Sequence, residues 1–419
     1  MSDGTPAWAR GAVFYAIFLD RFARSGSAPA TLDASALAPW DSGPEVRGYR
    51  GGDLDGAASR LDHIASLGAD AILLSPVWPS PAYHRYKPVD PFAVDPMLGG
   101  DAAFDRFVAV ALSRGLRVVL DAVLNHVGSG YRGFQDVLTY GERSPWRRWF
   151  VREGAGFRGW NGNASMPVLN HHEPAVREHA AKVLEFWLRR GVSGFRLDAA
   201  GEIEVPELWA ELRERAREVC PEALLVGEAW PPAPDRVGGS AWHGVTHYPW
   251  HGAVTSFVVG ASGAERFAAE LERLHALYPW ENTLTSWTFL STHDTARFLT
   301  SAGGDRKALD LGVALLATLP GAPVLYYGDE VGMEGGAPPA SRAGFAADDR
   351  WDRDRLQAVR TWMGLRRIHP VLRTGSFQVV EAVGSRLRFV RGEGEAVCRI
   401  TVDADLRSAY METGVRHAR

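Results

Sequence analysis

One unit constrains this chain more than any other: an amphipathic helix, a glycine and a continuous apolar run, repeated along the sequence. In one copy Phe104, Phe107, Val108, Ala111 and Leu112 recur at helical spacing, with Asp101 as the expected N-cap. Gly115 stands where a left-handed residue ends a helix, and Val118, Val119 and Leu120 follow almost at once. A second copy runs through Leu54, Ala58, Leu61 and Ile64 to Gly68 and then residues 71–77. A third runs through Val176, Ala180, Val183, Leu184 and Trp187 to Gly191 and residues 194–198, with Pro174 opening its helix. The runs do not alternate polar with apolar. Continuous apolar strands between such helices belong to a parallel sheet whose faces are covered by helices.

Strands are expected at 12–18, 71–77, 117–123, 194–199, 224–229, 244–249, 285–291 and 322–328. Eight strands separated by helices predict an α/β fold, a closed (β/α)8 TIM barrel. A doubly wound sheet would want a Gly-rich phosphate turn after its first strand, and Leu19-Asp-Arg-Phe-Ala-Arg24 is no such turn. Residues 127–170, after strand three, are too long for an ordinary loop and read as an inserted domain. From 375 to 419 short alternating runs, such as Phe377-Gln-Val-Val380 and Arg386-Leu-Arg-Phe-Val390, predict a small antiparallel β region. It is too short for a two-sheet sandwich. The barrel is then 1–126 with 171–374.

Four acids sit at the ends of these runs: Asp121, Asp198, Glu228 and Asp294. A carboxylate there is costly to bury, so it needs a reason. In a parallel barrel the carboxyl ends of the strands converge on one mouth, where active sites lie. Two carboxylates facing one bond, backed by a third, are the equipment of a glycoside hydrolase. Arg196 lies two residues before Asp198, on the same strand face, where its charge favours the ionised carboxylate.

A net charge of −4 leaves no basic footprint for nucleic acid. Cys220 and Cys398 lie far apart with no metal-ligand spacing, which argues against a disulfide framework or a zinc site. The first residues lack the apolar core of a signal peptide, and no run of 18 apolar residues occurs, so the expectation is a cytoplasmic protein with no membrane partner. The 15 Trp and 11 Tyr cluster in Gly- and His-rich stretches, where flat aromatic faces suit the apolar side of a sugar ring.

The acidic segments resemble the α-amylase superfamily, glycoside hydrolase family 13, over roughly residues 10–335. Members carry D-x-x-x-N-H on strand three, G-x-R-x-D on strand four, a Glu on strand five and an H-D pair after strand seven. Here these are Asp121 to His126, Gly194 to Asp198, Glu228, and His293-Asp294. The resemblance implies a retaining mechanism on an oligosaccharide substrate. Asp198 would be the nucleophile, Glu228 the acid and base, and Asp294 the third catalytic carboxylate, gripping the sugar. Tyr86 would stack on that sugar, and His126 and His293 would bind its hydroxyls. Asp121 would either touch the sugar or brace Arg196 from behind, and Glu202 and Trp230 would bind the next sugar or simply pack.

No cofactor is required by the resemblance. Asn125 is a calcium ligand in some members and structural in others, so one structural calcium is allowed. The loop at 25–30 lacks the Asn/Asp series that holds calcium elsewhere in the family. Met166-Pro-Val-Leu-Asn170 and Glu202 lean toward the neopullulanase and cyclomaltodextrinase members, hence toward small α-glucans. Two alternatives stay open: a transglycosylase using the same intermediate, and a non-catalytic relative acting as a binding subunit.

Overall fold

In the computed structural model, residues 4–26, 37–43, 48–239, 241–394 and 396–414 are described. Residues 27–30 of the loop compared above, and the last five residues of the C-terminal region, lie outside them. Eight parallel strands form the barrel: Phe14–Ile17, Ala71–Leu74, Arg117–Val123, Gly194–Asp198, Leu224–Gly227, Gly244–Val245, Trp287–Phe289 and Ala322–Tyr326. Neighbours in sequence are neighbours in the sheet, and strand eight pairs with strand one. A single parallel bridge, Thr246 to Trp287, joins strands six and seven and brings the ring to closure.

Apart from strand three, which spans its whole run, the observed strands are shorter than the apolar runs, because pairing stops before the side chains leave the core. The sixth differs most. It was expected over 244–249, but pairing ends near Thr246 and the helix Tyr248–Val258 begins at once. Pro249 in the first turn of that helix suits a helix start and not a central strand.

Asp101 is not the N-cap of its helix. The helix spans Gly100–Ser113 and is entered through Gly99 in the left-handed conformation. Asp101 instead pairs with Arg190 on the neighbouring helix at 2.5 Å. The 54–64 stretch breaks into two short helices, Leu54–Ser59 and Leu61–Ser66, and Leu112 is left exposed on the surface. Gly115 and Gly191 do end their helices with φ of +74° and +89°, where a β-carbon would be strained.

After strand three the chain builds a helix, Arg132–Tyr140, and two small hairpins that pair Arg152–Glu153 with Gly156–Phe157 and Gly159–Trp160 with Asn163–Pro167. Val127, Tyr131, Phe134, Val137, Phe150 and Leu169 form a separate small core there. Burying each of these larger side chains contributes about 1.5–3 kcal/mol. Beyond the barrel, four antiparallel strands, Phe377–Val383, Arg386–Glu393, Ala396–Asp403 and Ser408–Gly414, form one sheet. Leu387, Phe389, Ile400 and Val402 on one face join the main core, while the other face mixes arginines with exposed Val383 and Tyr410.

Candidate active site

Strand parity selects the residues that face the barrel axis. Val119, Leu224, Val226, Trp287 and Phe289 pack together inside the ring, whereas Val118, Leu120, Phe195, Leu197 and Leu225 join the layer between strands and helices. Counting by twos along the inner face leads from Val119 to Asp121, from Val226 to Glu228, and from Arg196 to Asp198. Register then sets their depth. Asp121 lies opposite Arg196 and Val123 opposite Asp198, while Leu197 lies opposite Gly227, next to Glu228. Asp198 and Glu228 therefore share the upper level, and Asp121 and Arg196 sit one layer below.

Arg196 is the hub of the group. Its Nη1 donates to both oxygens of Asp121, at 2.8 and 2.7 Å, and to Asp198 Oδ1 at 3.1 Å. Its Nη2 lies 2.6 Å from Glu228 Oε1 and 3.8 Å from Asp294 Oδ2. Tyr86 donates its hydroxyl proton to Asp121 Oδ2 at 2.6 Å. That hydroxyl also lies 2.8 Å from His293 Nε2, which is 2.8 Å from Asp294 Oδ2. Because the phenol proton is spent on Asp121, the His293 Nε2–H is the donor toward both neighbours.

A cavity of about 840 Å³ opens above these groups. Asp198, Glu228, Asp294, Tyr86, His126, His293, Glu202 and Trp230 all reach its wall. Asp121 and Arg196 do not line it: they lie one layer below, with Arg196 held between Asp121 and the two carboxyls of the upper level. His126 differs from expectation. Its Nε2–H donates to the Tyr86 carbonyl at 2.9 Å and Asn125 Nδ2 lies 3.4 Å from its Nδ1, so both ring nitrogens are turned to the protein. What it offers the cavity is a ring face, stacked on Trp160 at 5.2 Å.

Burial, then the charge of Glu228, pushes the Asp198 carboxyl well above the usual range, with Arg196 opposing. Burial also pushes Glu228 up, again against Arg196. Asp294 goes the other way: despite burial, His293, Arg196 and Arg342 hold it below the usual range. Two adjacent buried carboxyls with raised affinity share a proton. Glu228 Oε2 accepts the Ala199 backbone N–H at 2.7 Å, and Oε1 is ion-paired with Arg196. Ala199 holds φ at +48°, a left-handed conformation in a non-glycine residue that aims its N–H at Glu228.

Several residues on or just behind the cavity wall were not singled out in the sequence. Arg342 donates to Asp294 Oδ1 at 3.0 Å and to the His293 carbonyl at 2.8 Å. It closes a short 3-10 helix, Ala340–Arg342, too brief to show a periodic pattern, so no local signal marks it. Tyr248 donates to Glu228 Oε1 at 3.3 Å and lies stacked under Trp230, with ring centroids 3.9 Å apart and planes 9° apart. Its place, just beyond the sixth strand in an aromatic-rich stretch, was a usable signal. His84 and Lys87 flank Tyr86 on the wall.

Asn125, the residue at which a calcium was allowed, borders a second cavity whose wall mixes Arg147, Arg148, Arg152 and Arg158 with Asn170, Glu173, Glu202 and Glu204. Among the described residues, no group of three or more His, Cys, Asp or Glu side chains is placed to hold a metal ion. No helix among them is long and apolar enough to cross a membrane.

A parallel barrel whose mouth gathers paired carboxylates around one arginine defines a glycoside hydrolase, an enzyme acting on O-glycosyl bonds. The alpha amylase catalytic domain matches residues 16–363, and the chain belongs to that family. It is 35% identical to a cyclomaltodextrinase of Bacillus sp, over 90% of this chain and 69% of that protein. It is 37% identical to neopullulanase 2 of Thermoactinomyces vulgaris, over 81% of this chain and 59% of that protein, so it spans well under two thirds of the latter. The cyclic alpha-maltosyl-(1→6)-maltose hydrolase of Arthrobacter globiformis superposes with a TM-score of 0.91 at 34% identity, covering 95% of this chain and 92% of that one. That hydrolase has also been solved in complex with its cyclic saccharide.

Proposed function

We propose that this chain hydrolyses α-glucosidic bonds in maltooligosaccharides or related small α-glucans, with retention, through a covalent glycosyl-enzyme intermediate. The observation that carries the reading is Asp198 and Glu228 held on the two Nη atoms of one guanidinium beneath a sugar-sized cavity. Asp198 attacks the anomeric carbon while Glu228 gives its proton to the departing glycosidic oxygen. Glu228 then takes a proton from water, which attacks the same carbon and releases Asp198. Asp294, kept ionised by His293 and Arg342, accepts hydrogen bonds from hydroxyls of the reacting sugar. Tyr86, stacked on His293 at 5.3 Å, forms a flat wall against that sugar.

The substrate class is supported by the named relatives and by the cavity, which is large enough for a few sugar units. Trp230, half exposed on its Tyr248 support, offers a platform to the leaving-side sugar. A sugar held there is also an acceptor, which favours some transfer beside hydrolysis. Chromatography of products from maltotriose, cyclodextrin and pullulan tests substrate and transfer together. Mass spectrometry of a fluorosugar-trapped enzyme should place the label on Asp198. A label elsewhere, or none with full turnover, would sink the mechanism.

A further inference from the structure

Glu228 has an unusual donor set. Arg196 and the Ala199 N–H can only donate, so both favour the carboxylate. The facing acids Asp198, Asp294 and Asp121 oppose that, the first from its own strand end and the others from the loop after strand seven and from strand three. The Tyr248 hydroxyl, 3.3 Å from Oε1, can donate to the carboxylate.

Tyr248 is well fixed for such a part. It is buried, sits edge-on to Phe289 at 5.1 Å, has Thr292 hydrogen-bonded to its hydroxyl, and lies flat beneath Trp230. Resting on the reading of Glu228 as acid and base, we propose that Tyr248 is its positioning residue. The hydroxyl holds the Glu228 carboxyl in one orientation, donating to Oε1 when Glu228 is ionised and leaving the acid proton to the departing glycosidic oxygen when it is protonated. Through the stacked rings it ties that orientation to the sugar seated on Trp230. No proton leaves Tyr248 in either step.

The test is Tyr248→Phe, which keeps the ring on Trp230 and removes the hydroxyl. Two reactions separate positioning from packing. Maltotriose needs a proton on its departing oxygen, whereas α-maltosyl fluoride with azide needs neither an acid nor a base. We expect kcat on maltotriose to fall about tenfold with KM within about twofold, and fluoride turnover with azide to stay within about twofold of the parent. Equal loss in both reactions, or no loss on maltotriose, overturns the proposal.

A second form, with 3,5-difluorotyrosine at 248, keeps the shape and acidifies the hydroxyl. The alkaline limb of kcat on maltotriose should move to lower pH, and an unmoved limb likewise overturns the proposal. Glu228→Gln is the separate control. It should show the same substrate pattern at far greater amplitude, and near-normal maltotriose turnover there would remove the acid reading itself, whatever Tyr248 does.

Discussion

Asp121→Asn asks whether the lowest carboxylate of the site touches the sugar or only holds the arginine. Asp121 Oδ2 takes the Tyr86 hydroxyl and Arg196 Nη1, and Oδ1 takes Arg196 Nη1 again. An asparagine turned with its NH2 at the Oδ1 position keeps the first two contacts and loses the third. That removes one charge-assisted hydrogen bond, about 2 kcal/mol. Arg196 carries both catalytic carboxyls, so the loss should appear in the transition state, as about a 30-fold drop in kcat. KM should stay within about threefold, because the cavity wall is unchanged.

Asp121→Ala removes all three contacts and leaves a buried guanidinium short of a partner. It should cost about 4 kcal/mol and lower the melting temperature as well. After burial itself, the Asp121 charge is among the forces that raise Asp198 and Glu228. Neutralising it lowers both, so the alkaline limb of kcat/KM should shift to lower pH in the asparagine variant. Steady-state kinetics on maltotriose, with thermal unfolding alongside, decides the matter. An asparagine variant with normal kcat and a KM raised about tenfold would show Asp121 binding sugar directly, and the reasoning would fail.

Trp230→Ala should raise KM for maltotriose about fivefold, about 1 kcal/mol of lost aromatic contact, and suppress transfer products; unchanged product ratios would argue against a leaving-side platform. Burial holds His247 down to about 4 and His275 to about 3, so both stay neutral in the fold while the unfolded chain protonates near 6.5. Their stability contribution is complete above that value and is lost as pH falls toward 4, at up to about 1.4 kcal/mol per pH unit each. Unfolding temperatures that do not fall between neutral pH and about pH 5 would contradict this. Treatment with EDTA should leave the melting temperature unchanged, since among the described residues no three His, Cys, Asp or Glu side chains are grouped to hold a metal ion; a drop of more than about 3 °C would reveal a bound cation.

Much of the fold was legible because two patterns do the work, a helical period and the continuous apolar run. Helical spacing marked the faces at 104–112 and 176–187, and the apolar runs marked the strands. The errors fall where a local rule met a competing one. Asp101 looks like a cap, but Arg190 on the next helix claims its carboxylate. The sixth strand looked six residues long, but the Tyr248-Pro249 helix start cuts it short.

By itself the sequence determined which acids stand at strand ends, and parity then required that Asp198 and Glu228 face inward. That follows from a period of two, which is local. Depth is not local. Only the register between strands three and four set Asp121 beneath the level of Asp198, and only closure of the ring brought Arg342, from a short 3-10 helix, and Tyr248, from the start of the helix after strand six, against Asp294 and Glu228. Hydrogen-bond partners at such a site are chosen by packing between segments far apart in the chain, and that choice exists only once the barrel has closed.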